Sequence, residues 1–433
     1  MSSSSRQPDS EQPAARAEGA AAEAETDLAA REGETGAGAA TDPLPLESAT
    51  SIPVRFEFGE VTGPLKAIVI PPPPPPLGPL AAFVGNWHGT GFNTIFRPDN
   101  PETPSSETLP HPLPPTDNVL ELNLTSETLS FSASLGKVPN RGRVQGDIFL
   151  NGVPYLQAIE DVTTGKPVGI HLEPGLWMAV PPTKQPGEGP TLVRMGSIPH
   201  GTTICAQGTS RTFSGAPSIP VADITPFTTD PSHTKIRFES QEADDADTRR
   251  IPQDLSSFIA AGTITQAILN DPNTVLRSHL SAQHVVSTTE ISISTAPGAP
   301  LFGGGADNIA FLLGDPAAVT NPAGPGQNAQ SIQMNATFWI EEVEHTVLLP
   351  RFEPGQPPLK LSPESPVPGH PTPTVILRPP FLIPRPTPVT FTSVQIQYSQ
   401  TVELNFQGLT WPHVSVATLV PSGPITVPPS VWS

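Results

Sequence analysis

The chain has 433 residues, of which 59 are proline and only 15% are charged; its formal net charge is −19 and it holds one cysteine. Such a length suits one large domain or two ordinary ones, and an acidic chain without a long basic run argues against nucleic acid and against an anionic membrane surface as partners. The lone Cys205 excludes an intrachain disulfide and a cysteine-based zinc cage, and is read as a buried core residue.

Taken in chain order, residues 1–50 carry three arginines against ten acidic residues in an Ala-, Gly- and Ser-rich background, the composition of a disordered acidic tail. Neither this segment nor any later one has the apolar run of a signal peptide or a membrane span, so the expectation is a soluble, cytoplasmic protein. The prolines that begin at Pro71 form a stiff polyproline II lead-in.

From there strand signals dominate. FVGNWHGTGFNTIFRP, Phe83–Pro98, lacks both the third glycine of a dinucleotide fingerprint and a following helix, which argues against phosphate binding. It reads instead as a bending first strand in which Trp87, Asn93 and Arg97 share one face and His88 takes the other. NVLELNLTSETLSFSA, from Asn118, reads as a hairpin turning at Ser-Glu-Thr. Asn-Gly in DIFLNGVPYLQ and Thr-Gly in DVTTGKPVGIHL mark two more turns.

One helical region spans Ile251–Leu280, with Asp254 as the N-cap and Asn270-Asp271-Pro272 dividing two helices. SIQMNATFWI and the 14-residue VQIQYSQTVELNFQ, from Val394, then alternate cleanly, the second with one wet face. Strands of that length belong to barrels and strongly curved sheets. Between them the proline-rich stretch Phe352–Pro388 reads as a lid or an excursion. The fold class is therefore all-β with a short helical insertion. Residues 1–50 form a tail, 51–215 one barrel half, and 216–433 a helix-plus-strand half that packs on the barrel or completes it.

The chemistry-bearing residues form no recognised catalytic motif. His88, His171, His200, His279, His284, His345 and His413 are scattered. Glu173 reads as lying on the opposite strand face from His171, and Glu341, Glu342 and Glu344 beside His345 read as a solvated strand end. What remains is a set suited to an apolar pocket with a few polar anchors: Trp87, Asn93, Arg97, His171, Trp177, Tyr398, Asn405 and Trp411.

The blocks VGNWHGTGFNTIFRP, GIHLEPGLWMAVPPT with SIPHGTT, FIAAGTITQAILNDPNTVLRSHL with GGGADNIAFLLGDP, and LNFQGLTWPHVSVATLVP resemble a family of bacterial and fungal proteins described as haem-binding-like or uncharacterised. The first half is similar to nitrobindin-type lipocalin-like barrels, where a G-x-W strand and a later H-x-E-x-G stretch recur; here Gly85 and Trp87, and His171, Glu173 and Gly175, match. The resemblance implies a lipocalin-like antiparallel barrel whose first-strand tryptophan closes one end. It extends to fungal hetero-Diels–Alderases, cofactor-free enzymes of secondary metabolism. Three functions stay open: a hydrophobic small-molecule binder that cyclises a polyketide or terpenoid intermediate with no cofactor; a haem protein with His171, His200 or His413 as candidate ligand; and a non-catalytic interaction protein.

Overall fold

The computed structural model describes residues 58, 73–102, 118–296, 304–314, 328–365, 367 and 369–432. The proposed acidic tail at 1–50 lies outside them, as do Pro71 and Pro72 and the end of the GGGADNIAFLLGDP block. Ten strands carry the fold: β1 (Gly85–Pro98), β2 (Asn118–Phe131), β3 (Ile148–Asp161), β4 (Val168–Val180), β5 (Thr191–Ile198), β6 (Thr202–Ser214), β7 (His284–Ser294), β8 (Gln330–Leu349), β9 (Thr387–Phe406) and β10 (Leu409–Pro421). Each pairs antiparallel with the next in chain order, and β10 pairs with β1, from Trp87↔Pro421 to Thr94↔Val414. The sheet thus closes into an up-and-down barrel, which removes the exposed edges an open sheet would carry.

The glycines of β1 serve that closure. A Cβ on Gly89 would sit 1.9 Å from the Thr418 carbonyl oxygen, and one on Gly91 2.1 Å from that of Val416. GTG is therefore the seam where first and last strands meet at a distance no side chain allows.

One half of the barrel interior is packed solid. A short 3-10 helix, Gly78–Phe83, delivers Phe83, which stacks on Phe131 at 4.7 Å and meets Trp177 at 5.5 Å. Trp177 meets Phe338 edge-on at 5.2 Å, and the Trp87 indole donates to the Phe83 carbonyl at 2.7 Å. Trp87 is thereby buried at the closed end, with its one polar atom satisfied.

This division explains two failed expectations. Asn118–Phe131 is one continuous strand rather than a hairpin. Leu120 and Leu122 pack outward under the segment that follows β6, whereas Leu129 and Phe131 point into the packed half. The apolar face changes sides as the strand passes from a polar interior to an apolar one, and Ser-Glu-Thr marks that change rather than a turn. Asn151-Gly152 likewise lies inside continuous β3, where a Cβ on Gly152 would come within 2.4 Å of the Trp177 carbonyl. The Thr-Gly turn does form, between β3 and β4, with Gly165 at φ 78.

Outside the barrel, α1 (Ser256–Ala261), α2 (Gln266–Asn270) and α3 (Thr274–Leu280) bury Ile268, Leu269, Leu276 and Leu280 against it. Gly262 ends α1 at φ 73, and the Asp254 carboxylate accepts the Ser256 amide at 2.8 Å. Arg250, fully buried, donates to the carbonyls of Ser240, Glu242, Asp245 and Gln253, which organises the lead into these helices. Their cover corrects the expected wet face of β9: Gln395 and Gln397 are buried, the latter donating to Thr418 Oγ1 at 2.8 Å. Within Phe352–Pro388, Leu359–Leu361 pairs with Val375–Leu377, which also pairs with Ile425–Thr426; Phe352, Val375, Leu377 and Ile383 share a small core with Val347, Leu349 and Phe391. No helix among the described residues is long and apolar enough to cross a membrane.

Candidate functional site

The barrel half away from the aromatic plug holds a cavity of about 590 Å³. Period-two alternation sends Asn93, Ile95 and Arg97 of β1 inward, and Asn123, Gln157, His171, Tyr398, Gln400, His413 and Ser415 join them on the wall. Ile159, Ile198, Val402 and Leu404 supply apolar surface, and Phe311 and Leu312 of α4 (Ala310–Leu313) line it as well.

Six of the sequence-derived candidates thus meet in one space: Asn93, Arg97, His171, His200, Tyr398 and His413. Trp87, Trp177 and Trp411 do not reach it. The first two belong to the aromatic plug, and Trp411 stacks on Phe406 at 4.6 Å beside Phe96 and Phe238. Asn405 is also absent from the wall; its side chain accepts from Thr410. His88 faces outward, as alternation requires.

Beneath the cavity lies a buried polar network that sequence reasoning missed. Arg194 pairs with Glu173 at 2.9 Å, both almost wholly buried, and donates to the Tyr155 hydroxyl at 3.0 Å and to Gln400 Oε1 at 2.7 Å. Tyr155 donates to Glu173 as well, and His171 Nε2 lies 3.2 Å from Glu173 Oε2. Glu173 therefore shares a face with His171, correcting the expected opposition: residues two apart on a strand point the same way. Gly196 makes room, since a Cβ there would come within 2.3 Å of the Glu173 carboxylate. Burial alone would raise the Glu173 carboxyl, but the Arg194 guanidinium and the bonds from His171 and Tyr155 hold it at about 2.

Glu127 is the other buried carboxylate. Both its oxygens lie 2.8 Å from the Tyr398 hydroxyl, and Gln157 donates to it at 3.3 Å and to Tyr398 at 3.1 Å. No cation pairs with it among the described residues. Burial pushes it up to about 7, against the opposing hydrogen bonds from Tyr398, Gln157 and Thr125. A charged residue read as part of a turn is thus a carboxyl held near neutrality under Tyr398. The local signal for it was the switch of apolar face across Ser126–Thr128.

Two of the three cavity histidines, His413 and His200, are held toward the neutral form by burial. His413 takes a hydrogen bond from Asn93 Nδ2 at 2.8 Å, and burial, with His171 and His200 nearby, lowers it to about 3. It lies deep in the protein yet keeps surface open to the cavity. Burial and the neighbouring His171 lower His200, whose ring centroid is 6.2 Å from that of His171. Among the described residues every arginine or lysine on the wall or floor is paired: Arg97 with Glu121, and Arg194 with Glu173.

On the outer wall, Glu341 is fully buried and raised by burial to about 8, bonded to Gln395 at 2.6 Å. The expected solvated strand end is corrected at this position. Cys205 is half-buried and its thiol is raised by burial. Among the described residues no group of three or more His, Cys, Asp or Glu is arranged to hold a metal ion.

No family model matches the sequence, and no curated protein matches it. Among solved structures, the chain is similar to the crystal structure of Rv2717c from M. tuberculosis at 12% identity, with 80% of this chain and 97% of that chain covered and a TM-score of 0.28. So low a score carries no argument; the barrel rests on its own strand pairing.

Proposed function

We propose that the protein binds a neutral, largely hydrophobic small molecule in the barrel cavity and acts on it as a cofactor-free cyclase of the lipocalin-like, hetero-Diels–Alderase kind, on a polyketide or terpenoid intermediate of secondary metabolism. The observation that carries this reading is a cavity of about 590 Å³ with apolar walls in which both described arginines are already paired with carboxylates. An ionic ligand would find no countercharge there, while an apolar one with one or two oxygens finds both walls and partners. A cyclisation without cofactor needs a folded substrate held in a reactive shape and hydrogen bonds to the oxygen that gains charge. Tyr398, with Glu127 behind it, is the group on this floor suited to donate or return a proton.

The test is titration with Nile red, followed by competition with candidate polyketides and terpenoids. Micromolar, saturable binding lost on Val402→Arg supports the reading, and no binding refutes it.

A second reading, a haem-binding protein of nitrobindin type, is favoured by one observation. His171, His200 and His413 line the same cavity, and Glu173 stands behind His171 in the way a carboxylate orients a ligating imidazole. If haem were held there, His171, His200 or His413 would be the residue to ligate its iron, and the haem would supply redox and small-gas chemistry. Haemin titration of the wild type and of His171→Ala, His200→Ala and His413→Ala decides it: a Soret band abolished by one substitution supports haem, and spectra unchanged in all three refute it.

A further inference from the structure

Two side chains on the cavity wall have their polar atoms oriented by buried neighbours rather than by any ligand. Gln400 Oε1 accepts from Arg194 Nη1 at 2.7 Å. A guanidinium only donates, so this bond sets the amide: the oxygen faces Arg194 and the Nε2 hydrogens are left for the cavity that Gln400 lines. Arg194 is itself held by Glu173 and Tyr155, so the amide is set by a rigid, buried base.

His413 is set in a similar way. Asn123 Nδ2 donates to Asn93 Oδ1 at 3.3 Å, and Asn93 Nδ2 then donates to Ser415 Oγ at 2.7 Å and to His413 Nε2 at 2.8 Å. A neutral imidazole that accepts at Nε2 carries its proton on Nδ1. Neither Gln400 Nε2 nor His413 Nδ1 has a partner among the described residues. Cross-strand register brings the two together: Gln400 is opposite Ser415 and Val402 is opposite His413, so they are diagonal neighbours on the inner face of β9 and β10. Diagonal positions of that kind lie roughly 7–8 Å apart at Cα, within reach of a shared atom for long side chains.

We infer that the cavity selects a ligand bearing a carbonyl oxygen, received jointly by Gln400 Nε2 and His413 Nδ1. A carbonyl offers two lone pairs and no hydrogen, which matches two N–H donors; a ligand hydroxyl would bring a hydrogen of its own against them. A carboxylate is disfavoured because no unpaired cation lines the wall among the described residues. The two bonds would draw charge onto the oxygen and make the attached carbon more electrophilic, without proton transfer or any covalent bond to the protein. The inference rests on the reading of the cavity as a small-molecule site and specifies what that site recognises.

The test is a matched pair of probes, benzophenone and 1,1-diphenylethylene, which differ only in an oxygen replaced by a CH₂ group. Each neutral hydrogen bond is worth roughly five-fold in affinity, so the wild type should prefer the ketone by about ten-fold or more. ¹³C-labelled benzophenone should also show a downfield carbonyl shift on binding. Gln400→Glu keeps an acceptor for Arg194 but sets a carboxylate against the ligand oxygen, which should bring the preference to near unity or reverse it, and His413→Phe removes the other donor and should cut the preference about five-fold. The ratio guards against misfolding, because a damaged cavity loses both probes together. Equal binding of the two probes by the wild type overturns the inference and leaves the hydrophobic-ligand reading standing. A preference undiminished in both variants overturns the assignment to these residues. Failure of both probes to bind overturns the underlying reading and the inference with it.

Discussion

Glu127 offers the sharpest test of the barrel interior, because its effect on stability depends on pH in a way no contact-based argument would give. Its folded pKa of about 7 stands above the unfolded value of 4.5. The native state therefore binds the proton more tightly, and the stability linked to that proton is complete below pH 4.5 and is lost as pH rises through 7. Integrating the linkage between these two values gives a loss of about 2.5 kcal/mol on going from pH 5 to pH 8. Glu127→Gln removes the titration while keeping an amide oxygen to accept from Tyr398. At pH 5, where the wild-type carboxyl is largely protonated, the variant should unfold within about 1 kcal/mol of wild type. At pH 8 its stability relative to wild type should stand about 2.5 kcal/mol higher than at pH 5, because only the wild type loses the proton-linked term. Guanidinium chloride unfolding of both proteins at the two pH values measures this, with the slopes compared so that a change of denatured state is not mistaken for stability. A difference between variant and wild type that is the same at pH 5 and pH 8 would refute the reasoning, since it would mean that Glu127 is ionised throughout and is paired with a charge.

The same arithmetic applied to other groups predicts a stability maximum near pH 6. His279 and His345, each lowered to about 4 chiefly by burial, and His413, at about 3, withdraw stability as pH falls below 6.5, whereas Glu341, raised to about 8, joins Glu127 in withdrawing it as pH rises; thermal melts from pH 4 to 9 should trace a dome, and a monotonic profile would contradict it. Glu173→Ala leaves the Arg194 guanidinium buried without its countercharge and should destabilise the protein by about 3–5 kcal/mol, measured by chemical unfolding. Gly89→Ala drives a methyl group against the Thr418 carbonyl at the barrel seam and should cost about 3 kcal/mol or more, whereas Gly165→Ala, in an open turn, should cost nearer 1 kcal/mol. Arg250→Met strips the donor from the carbonyls of Ser240, Glu242, Asp245 and Gln253 and should loosen α1 to α3, seen as faster amide exchange across residues 238–280 with barrel amides unchanged.

The sequence by itself determined a good deal. Alternation along β1, β8 and β9 marked long curved strands, and it placed Trp87, Asn93 and Arg97 on one face because a strand's side-chain period does not depend on its neighbours. Asn270-Asp271-Pro272 announced a helix end through local backbone preference alone, whereas the first of the two expected helices is itself divided, α1 ending at Gly262. What a strand's two faces meet was decided only by the tertiary structure. Inside the barrel one end is filled by aromatic rings and the other is a polar cavity, so an apolar face is inward at Leu129 and outward at Leu122 on a single strand. Two-fold alternation carries no mark of where the interior changes character. Hence Ser126–Thr128 looked like a turn, Glu127 looked exposed, and the network of Tyr155, Glu173 and Arg194 stayed invisible until β3, β4 and β5 lay side by side. The cavity histidines are the plainest case: His171, His200 and His413 come from distant parts of the chain, and only closure of β10 onto β1 and β9 brings His413 to the same space as the other two.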